Sequence, residues 1–361
     1  AGFTAPKILW IRENEPENFT KIQKIMLPKD YLAYCLSGTF CTDYSDASGM
    51  LLLDVKHKCW SNEMLDLCGI TKEQLPTLYE SYDVVGTIKA EIAQELGLLP
   101  DTKIIAGAGD NAAAAVGTGT VGNGRCNLSL GTSGTIFISS KEFRVDEHNA
   151  LHSFDHADGY YHLMGCMLSA ASCNKWWMDE ILKTTAYQEE QENITKLGEN
   201  SVFYLPYLMG ERSPHNDPKA RATFTGMTMD TTREDMTLAV LEGVAFGLRD
   251  SLEVARKLGI PIQRSKICGG GARSPLWRKI IANVMNLSLD IIESEEGPGY
   301  GAAMLAAVGC GIFKTVENAA NKLVKVMDTV EPDPELVNKY EERYQQFKQI
   351  YPALKDIFQQ I

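Results

Sequence analysis

Apolar residues recur along this chain in two rhythms, and the alternation between them predicts an α/β protein. Helical spacing, with apolar positions three and four apart, runs through residues 232–258 and through the segments 16–28 and 61–68. The stretch "TKEQLPTLY" opens with Thr71 and Gln74 at the spacing of a capping box. A helix over 88–97 is predicted to close at Gly97, with Pro100 beyond it. Short apolar runs bounded by glycine predict strands. "TKIIAGAGD" runs into a glycine turn, and a small-residue helix is expected over 111–117. "GRCNLSLGTSG" and "TIFISS" read as two strands joined by a tight turn at Gly131–Gly134. "GYYHLMGCML" is a further strand, followed by a helix over 170–183, a polar helix over 187–197 and the strand "SVFYLPYL". An irregular loop is expected over 209–223. "SKICGGG" is a strand into a third glycine turn, and "SPLWRKIIANVMN" is a helix capped by Ser274 with Pro275 in its first turn. "GYGAAMLAAVGCG" reads as a small-residue helix, and the tail from 315 as charged and helical, with the run "NKYEERYQQFKQ" as a solvated face.

Composition narrows the class. The 361 residues suit two domains, and glycine is densest at 116–126, where the boundary is expected. Hydrophobic residues make up 44% and charged residues 23%, enough apolar material to bury a core in each domain. A formal net charge of -12 argues against nucleic acid or an anionic membrane as partner, because both call for a basic face. It leaves room for an anionic nucleotide held by backbone amides and a metal ion. The nine cysteines are scattered without a C-x-x-C pair, which fits reduced thiols in a cytoplasmic protein better than a disulfide framework. No continuous apolar run reaches the length of a membrane span.

The candidate chemistry lies in three glycine turns: 107–109 before Asp110, 131–134, and 269–271. Glycine lets backbone approach a phosphate closely, and Thr132 and Ser133 add hydroxyl and amide donors of the kind a phosphate cradle uses. Any one of these turns alone reads better as an ordinary tight turn. The chain has no GxxxxGK[ST] motif, so a P-loop is excluded, and "GAGDNA" is a weak echo of a dinucleotide fingerprint. Asp110 follows an apolar strand at the mouth of a turn, where catalytic groups gather in α/β folds. Two compatible readings stay open for it: acceptor of a proton from a substrate hydroxyl, or N-cap of the alanine-rich helix. His152, His156 and His162 have neither of the usual zinc spacings and read as structural or substrate-adjacent; Trp176 and Trp177 read as core.

Motifs along nearly the whole chain resemble the FGGY family of carbohydrate kinases. "GFTAPKILWIREN" is similar to the family's first signature, with Lys7 and Trp10 in place, and "FTGMTMDTTREDMTLAVLEGVAFGLRD" to its second. Between and after them "LPKDYL", "TDYSDASGMLLLDV", "GAGDNAA", "LSLGTSG", "LMGCMLSAASC", "LPYLMGERSPHNDP" and "GGGARSPLWRKIIANV" follow in family order. "LPKDYL", "SDASGMLLLDV" and "GERSPHNDP" point to its xylulose-phosphorylating members. The resemblance implies an actin-like ATPase fold, with two ribonuclease-H-like domains over 1–121 (sugar-binding) and 122–361 (nucleotide-binding) about a cleft. It implies ATP and Mg²⁺ as cofactors, a small sugar as substrate, and phosphoryl transfer from ATP, with D-xylulose converted to D-xylulose 5-phosphate. Carried over residue by residue, Asp110 is the general base and Asn111 lies beside it at the sugar. Gly131, Thr132, Ser133 and Gly134 form a phosphate loop, and Gly270, Gly271 and Ala272 lie against the adenosine. No metal ligand is assigned within the chain. Family members are often dimers, so a second copy is one expected partner. Glycerol, ribulose, gluconate and fuculose kinases are alternatives, as is a non-catalytic nucleotide-binding module.

The family's early D-x-G-T turn, which holds Mg²⁺ and the nucleotide phosphates, and a Met-His sugar-binding pair have no match in this sequence. On that ground the first domain is expected to be incomplete, residues 1–361 alone are expected to show no sugar-dependent ATP turnover, and the part up to about 115 is expected to need an upstream segment packed on it.

Overall fold

Proline and glycine set the helix boundaries in the computed structural model, which describes residues 2–293 and 297–361. Helix α1 (Thr4–Asn14) takes Pro6 in its first turn, where a missing N–H costs nothing. Helix α2 (Pro28–Ser37) starts on proline and closes on Gly38 at φ 82. The helix expected over 16–28 is therefore wrong: one turn, Pro16–Phe19, is followed by extended chain, because Pro28 disfavours helical backbone in the residue before it. The first signature, read earlier only as a motif, is α1. Gly97, at φ 68, ends the helix Ala90–Leu96, and Thr71 and Gln74 form the expected capping box.

The N-terminal part continues with short strands, among them β1 (Cys41–Asp43), β2 (Thr77–Tyr79), β3 (Val84–Thr87) and β4 (Lys103–Ile105). β1 pairs with β2 in parallel, and β3 with β4 antiparallel. Helix α3 (Asp110–Gly117) follows β4. The apolar residues gather around Ile8, Met50, Leu52, Trp60 and Leu65.

The rest of the chain is organised on one seven-stranded sheet. Its strands are β5 (Cys126–Leu130), β6 (Gly134–Ser140), β7 (His152–Asp155) and β8 (Tyr161–Met167), then β9 (Arg264–Cys268), β10 (Ser288–Ile292) and β11 (Val326–Val330). The order across the sheet is β11-β10-β9-β5-β6-β8-β7. β5, β9 and β10 run parallel, and the neighbours in β5-β6-β8-β7 are antiparallel. Helix α4 (Arg233–Lys257) and helix α5 (Pro275–Met285), capped by Ser274 through the Trp277 N–H at 3.1 Å, pack with the sheet over one core containing Leu128, Ile138, Phe246 and Trp277. Helix α6 (Gly297–Gly309) meets α3: Ala112 and Val116 share a cluster with Met304 and Leu305.

Three further expectations are corrected. The polar helix over 187–197 is limited to Glu189–Glu192, because Ile194 and Leu197 turn into the main core. The tail is not continuously helical: β11, with valines at both ends, adds antiparallel to β10 at the sheet edge before the last helix, α7 (Pro334–Phe358). The run "NKYEERYQQFKQ" is not a purely solvated face. Tyr340, Arg343, Tyr344 and Phe347 are buried along one stripe of α7, and Phe246 of α4 packs against their rings. All nine cysteines are free thiols, and no helix among the described residues is long and apolar enough to cross a membrane.

Polar contacts tie the N-terminal part to the β7–β8 hairpin. The Asp155 N–H donates to Ser48 Oγ at 2.9 Å, and Lys58 donates to the Gly159 carbonyl at 2.8 Å while pairing with Glu80 at 3.0 Å and Asp155 at 3.7 Å.

Candidate active site

Asp110 stands at the first position of α3, one residue inside the helix, with Gly109 at the cap and no side-chain capping bond. The N-cap reading is thereby corrected. The Asp110 carboxylate is exposed, and its Oδ1 accepts from the backbone N–H of Asn111 at 2.7 Å and from Asn111 Nδ2 at 3.0 Å. A carboxylate in the first turn of a helix is stabilised by the helix dipole, and here it keeps a free oxygen toward a cavity.

The turn before it is held from behind by two segments from which sequence reasoning had assigned no site residue. The Gly109 N–H donates to Ser45 Oγ at 3.1 Å, and Ser45 and Ser81 hydroxyls donate to the buried Asp43 at 2.5 and 2.7 Å. Lys29 sits 2.7 Å from Asp30, 3.0 Å from Asp43 and 3.9 Å from Asp46, and donates to the Ala106 carbonyl. Burial works against the Lys29 charge, but Asp43, Asp30 and Asp46 outweigh it and hold its pKa above the ordinary lysine value. Asp46 faces the same cavity as Asp110. Burial pushes its carboxyl up to about 6 against the pull of Lys29. A side chain at Gly109 would meet Asp46 at 3.3 Å, so glycine lets the turn come this close. The signal for these residues was present in "LPKDYL" and "TDYSDAS", whose acids lie far from Asp110 in sequence.

The cavity has a volume of about 820 Å³, and its opposite wall comes from the C-terminal part: His152, His162, Met164, Leu168, Glu211 and Arg212. Glu211 is 2% exposed; its Oε1 accepts from the N–H groups of Leu168 at 3.1 Å and Arg212 at 2.7 Å. Burial nonetheless pushes its carboxyl up to about 8. Arg212 Nη2 donates to His152 Nε2 at 2.8 Å. Burial and then the Arg212 charge hold His152 below the ordinary histidine value, so it is the neutral tautomer with its proton on Nδ1. Of the three histidines, His156 and His162 are buried and ring-packed around Phe137, and His152 reaches the cavity beside His162. Among the described residues no group of three or more His, Cys, Asp or Glu is placed to hold a metal ion.

A second cavity, of about 1010 Å³, takes Gly131, Thr132, Gly270 and Gly271 into its lining, with Gln191, Ser274 and Trp277. The two glycine turns meet because β5 and β9 are adjacent parallel strands, so the chain leaves both at the same end of the sheet. Ser133, Gly134 and Ala272 are not in the lining. Gly134 is packed inward, since an added Cβ would come within 2.9 Å of Ala170 and 3.1 Å of Leu248; Ala272 is core. Gly271 abuts protein in the same way: its Cβ would sit 2.9 Å from Trp277 and 3.0 Å from Leu130, whereas Gly270 has no heavy atom within 4 Å. Asp110 and the glycine turns thus line two different cavities.

Residues 1–117 match the N-terminal domain of the FGGY family of carbohydrate kinases, and residues 126–310 match its C-terminal domain. The chain belongs to this family. As an FGGY kinase it has relatives among curated proteins: the xylulose kinase of Bacillus subtilis is 36% identical over 360 residues, covering 99% of this chain and 72% of that protein. The xylulose kinase of Escherichia coli is 39% identical over 360 residues, 98% of this chain and 73% of that protein. Solved FGGY structures superpose closely. A xyloylose kinase from Brucella ovis gives a TM-score of 0.93 at 38% identity, covering 98% of this chain and 73% of that one. A gluconate kinase from Lactobacillus acidophilus gives 0.91 at 27% identity, covering 98% and 72%. The fold is the actin-like ATPase fold of these sugar kinases, and the chain is a carbohydrate kinase.

Proposed function

We propose that this FGGY kinase transfers the γ-phosphoryl group of ATP to D-xylulose, giving D-xylulose 5-phosphate. The observation that carries it is the pairing of two cavities, one with an exposed carboxylate at a helix start and one with two glycine turns side by side. The xylulose kinases among its relatives at 36–39% identity support that sugar. Asp110 takes the proton of the attacking hydroxyl, and Asn111 lies beside it at the sugar. Gly131 and Thr132, which line the second cavity, carry the phosphates, and Gly270, the open member of its turn, borders the adenosine beside Gly271. We also assign the sugar-binding domain to 1–121 and the nucleotide-binding domain to 122–361, and place the protein in the cytoplasm as a homodimer.

The second cavity suits a nucleotide, because backbone at Gly131 and Gly270 is uncovered by side chains. Mg²⁺ takes hard oxygen donors from one or two carboxylates and from substrate phosphates; Asp46 offers such oxygens on the first cavity. When bound, the ion neutralises charge on the phosphates. The chain's own residues position the acceptor hydroxyl against Asp110 and exclude water when the cleft closes.

The test is ADP release by the purified full-length protein with D-xylulose, glycerol, ribulose, gluconate and fuculose. D-xylulose is expected to give the highest kcat/KM; a higher value with gluconate or another acceptor overturns the sugar assignment.

A further inference from the structure

Arg212 is a cation in the wall of the sugar cavity. Among the described residues no carboxylate lies within ion-pair distance of it; its guanidinium donates to His152 Nε2 at 2.8 Å, and the acceptor is a neutral imidazole. The neighbouring acid, Glu211, is bound to the Arg212 backbone N–H, not to the guanidinium. The side chain is half-buried and lines the cavity that Asp110 lines from the other wall.

The loop that carries it is pinned on both sides. Glu211 and Asp217 exchange backbone hydrogen bonds at 2.9 and 2.8 Å, and the Ser213 N–H and Oγ bond the Cys166 backbone at 3.0 Å each. The backbone under Arg212 is therefore set, and His152 fixes the plane of the guanidinium.

An arginine presents a planar fork that matches two oxygens of a carboxylate or phosphate. A neutral ketose gives it hydroxyls but no counter-charge. The phosphate monoester that the reaction produces supplies both. We infer that Arg212 is the anion-recognising residue of the sugar cavity, gripping the phosphoryl group once it has been transferred to the sugar, with His152 as its positioning residue. This rests on the proposed sugar kinase reading of the same cavity. In that reading the group passes from the nucleotide to a hydroxyl beside Asp110, between carboxylates on the N-terminal wall and Arg212 on the other.

Calorimetry without nucleotide tests it, using D-xylulose, D-xylulose 5-phosphate and inorganic phosphate on the wild type, Arg212→Gln, Arg212→Lys, His152→Gln and His152→Leu. Hydrogen bonds to charged groups lead us to expect Arg212→Gln to weaken the sugar phosphate by about 10- to 100-fold, with D-xylulose changed less than about twofold and the Tm kept. Arg212→Lys keeps a charge without the fork and falls between. His152→Gln, which retains an acceptor, is expected to bind the sugar phosphate better than His152→Leu. Equal weakening of sugar and sugar phosphate in Arg212→Gln, or no change in either, overturns the inference. A wild type that binds neither xylulose compound, but binds another sugar phosphate with the same Arg212 dependence, sinks the xylulose assignment and retains Arg212.

Discussion

At the scale of single residues, Asp110 and the adjacent pair Gly270 and Gly271 make separable predictions. Asp110 is exposed and caps nothing, so Asp110→Asn is expected to leave the Tm unchanged. Turnover is expected to fall by about 10²- to 10⁴-fold, the range for losing general-base help. Steady-state kinetics beside a melting curve checks both, and near-normal turnover removes the assignment. The glycines differ from each other. A valine at Gly270 enters open space on the nucleotide cavity, whereas at Gly271 it collides with Trp277 and Leu130. Gly270→Val is expected to weaken ATP binding without changing stability. Gly271→Val is expected to cost about 1–3 kcal/mol by overpacking, seen in urea denaturation. The sequence showed both glycines as a turn; only packing tells which one faces the ligand side and which abuts the core. Asp46 and Arg212 were legible as members of motifs, but nothing in the sequence sets them on facing walls of one cavity.

Among elements, the crossing of α3 and α6 and the seat of α7 carry the clearest consequences. An added Cβ at Gly301 would lie 1.8 Å from the Ala113 carbonyl oxygen, and one at Gly117 would lie 2.4 Å from that of Gly297. The two helices therefore touch backbone to backbone, and α3 carries Asp110. Gly301→Ala is expected to force them apart and destabilise the protein, and to lower turnover through displacement of Asp110. Normal kcat with normal stability in this variant would show that the crossing yields without cost. α7 buries Arg343, which pairs with Glu242 of α4 at 2.7 Å, both nearly inaccessible to water. Breaking a buried pair on one side strands the other charge and costs about 3–5 kcal/mol. Arg343→Met is expected to show that loss in chemical denaturation, and Arg343→Met with Glu242→Met to recover much of it. A periodic sequence reading finds both helices. The buried stripe of Tyr340, Tyr344, Phe347 and Tyr351 recurs at the spacing of one helix face, a signal that reading the run by its charge passed over; which surface that face covers is not in the pattern.

For the whole molecule, buried acids decide the response to pH. Burial pushes Glu211 up to about 8, Asp155 and Asp250 to about 7, and Asp46 to about 6. Such groups hold protons in the native state that the unfolded chain, with carboxyls near 4, has released, so their contribution to stability falls as pH rises through this range. Burial holds His152, His162 and His215, the last at about 4, below the usual value; their opposite effect is half complete at about pH 6.5, where the unfolded imidazoles are half protonated, and has largely faded by about pH 7.5. Between pH 7 and 8 the raised carboxyls outweigh the histidines, and stability is expected to fall by about 1.4 kcal/mol for each retained proton per pH unit, with the Tm falling alongside. A Tm that holds or rises over that interval in calorimetric scans would contradict the assignment. Strands β4, β5, β6, β8 and β9, helices α3 to α6, the helix caps at Ser274 and Thr71, the three glycine turns and the family itself followed from sequence alone, because propensity, turn chemistry and motif order are local. The pairing of β5 with β9, which brings two distant glycine turns to one end of the sheet, was decided by the tertiary structure. So were the strand β11, the docking of α7 and the meeting of Asp46, Asp110 and Arg212 around one cavity, because each depends on contacts between residues far apart in the chain, and no local pattern encodes which distant surface will cover them.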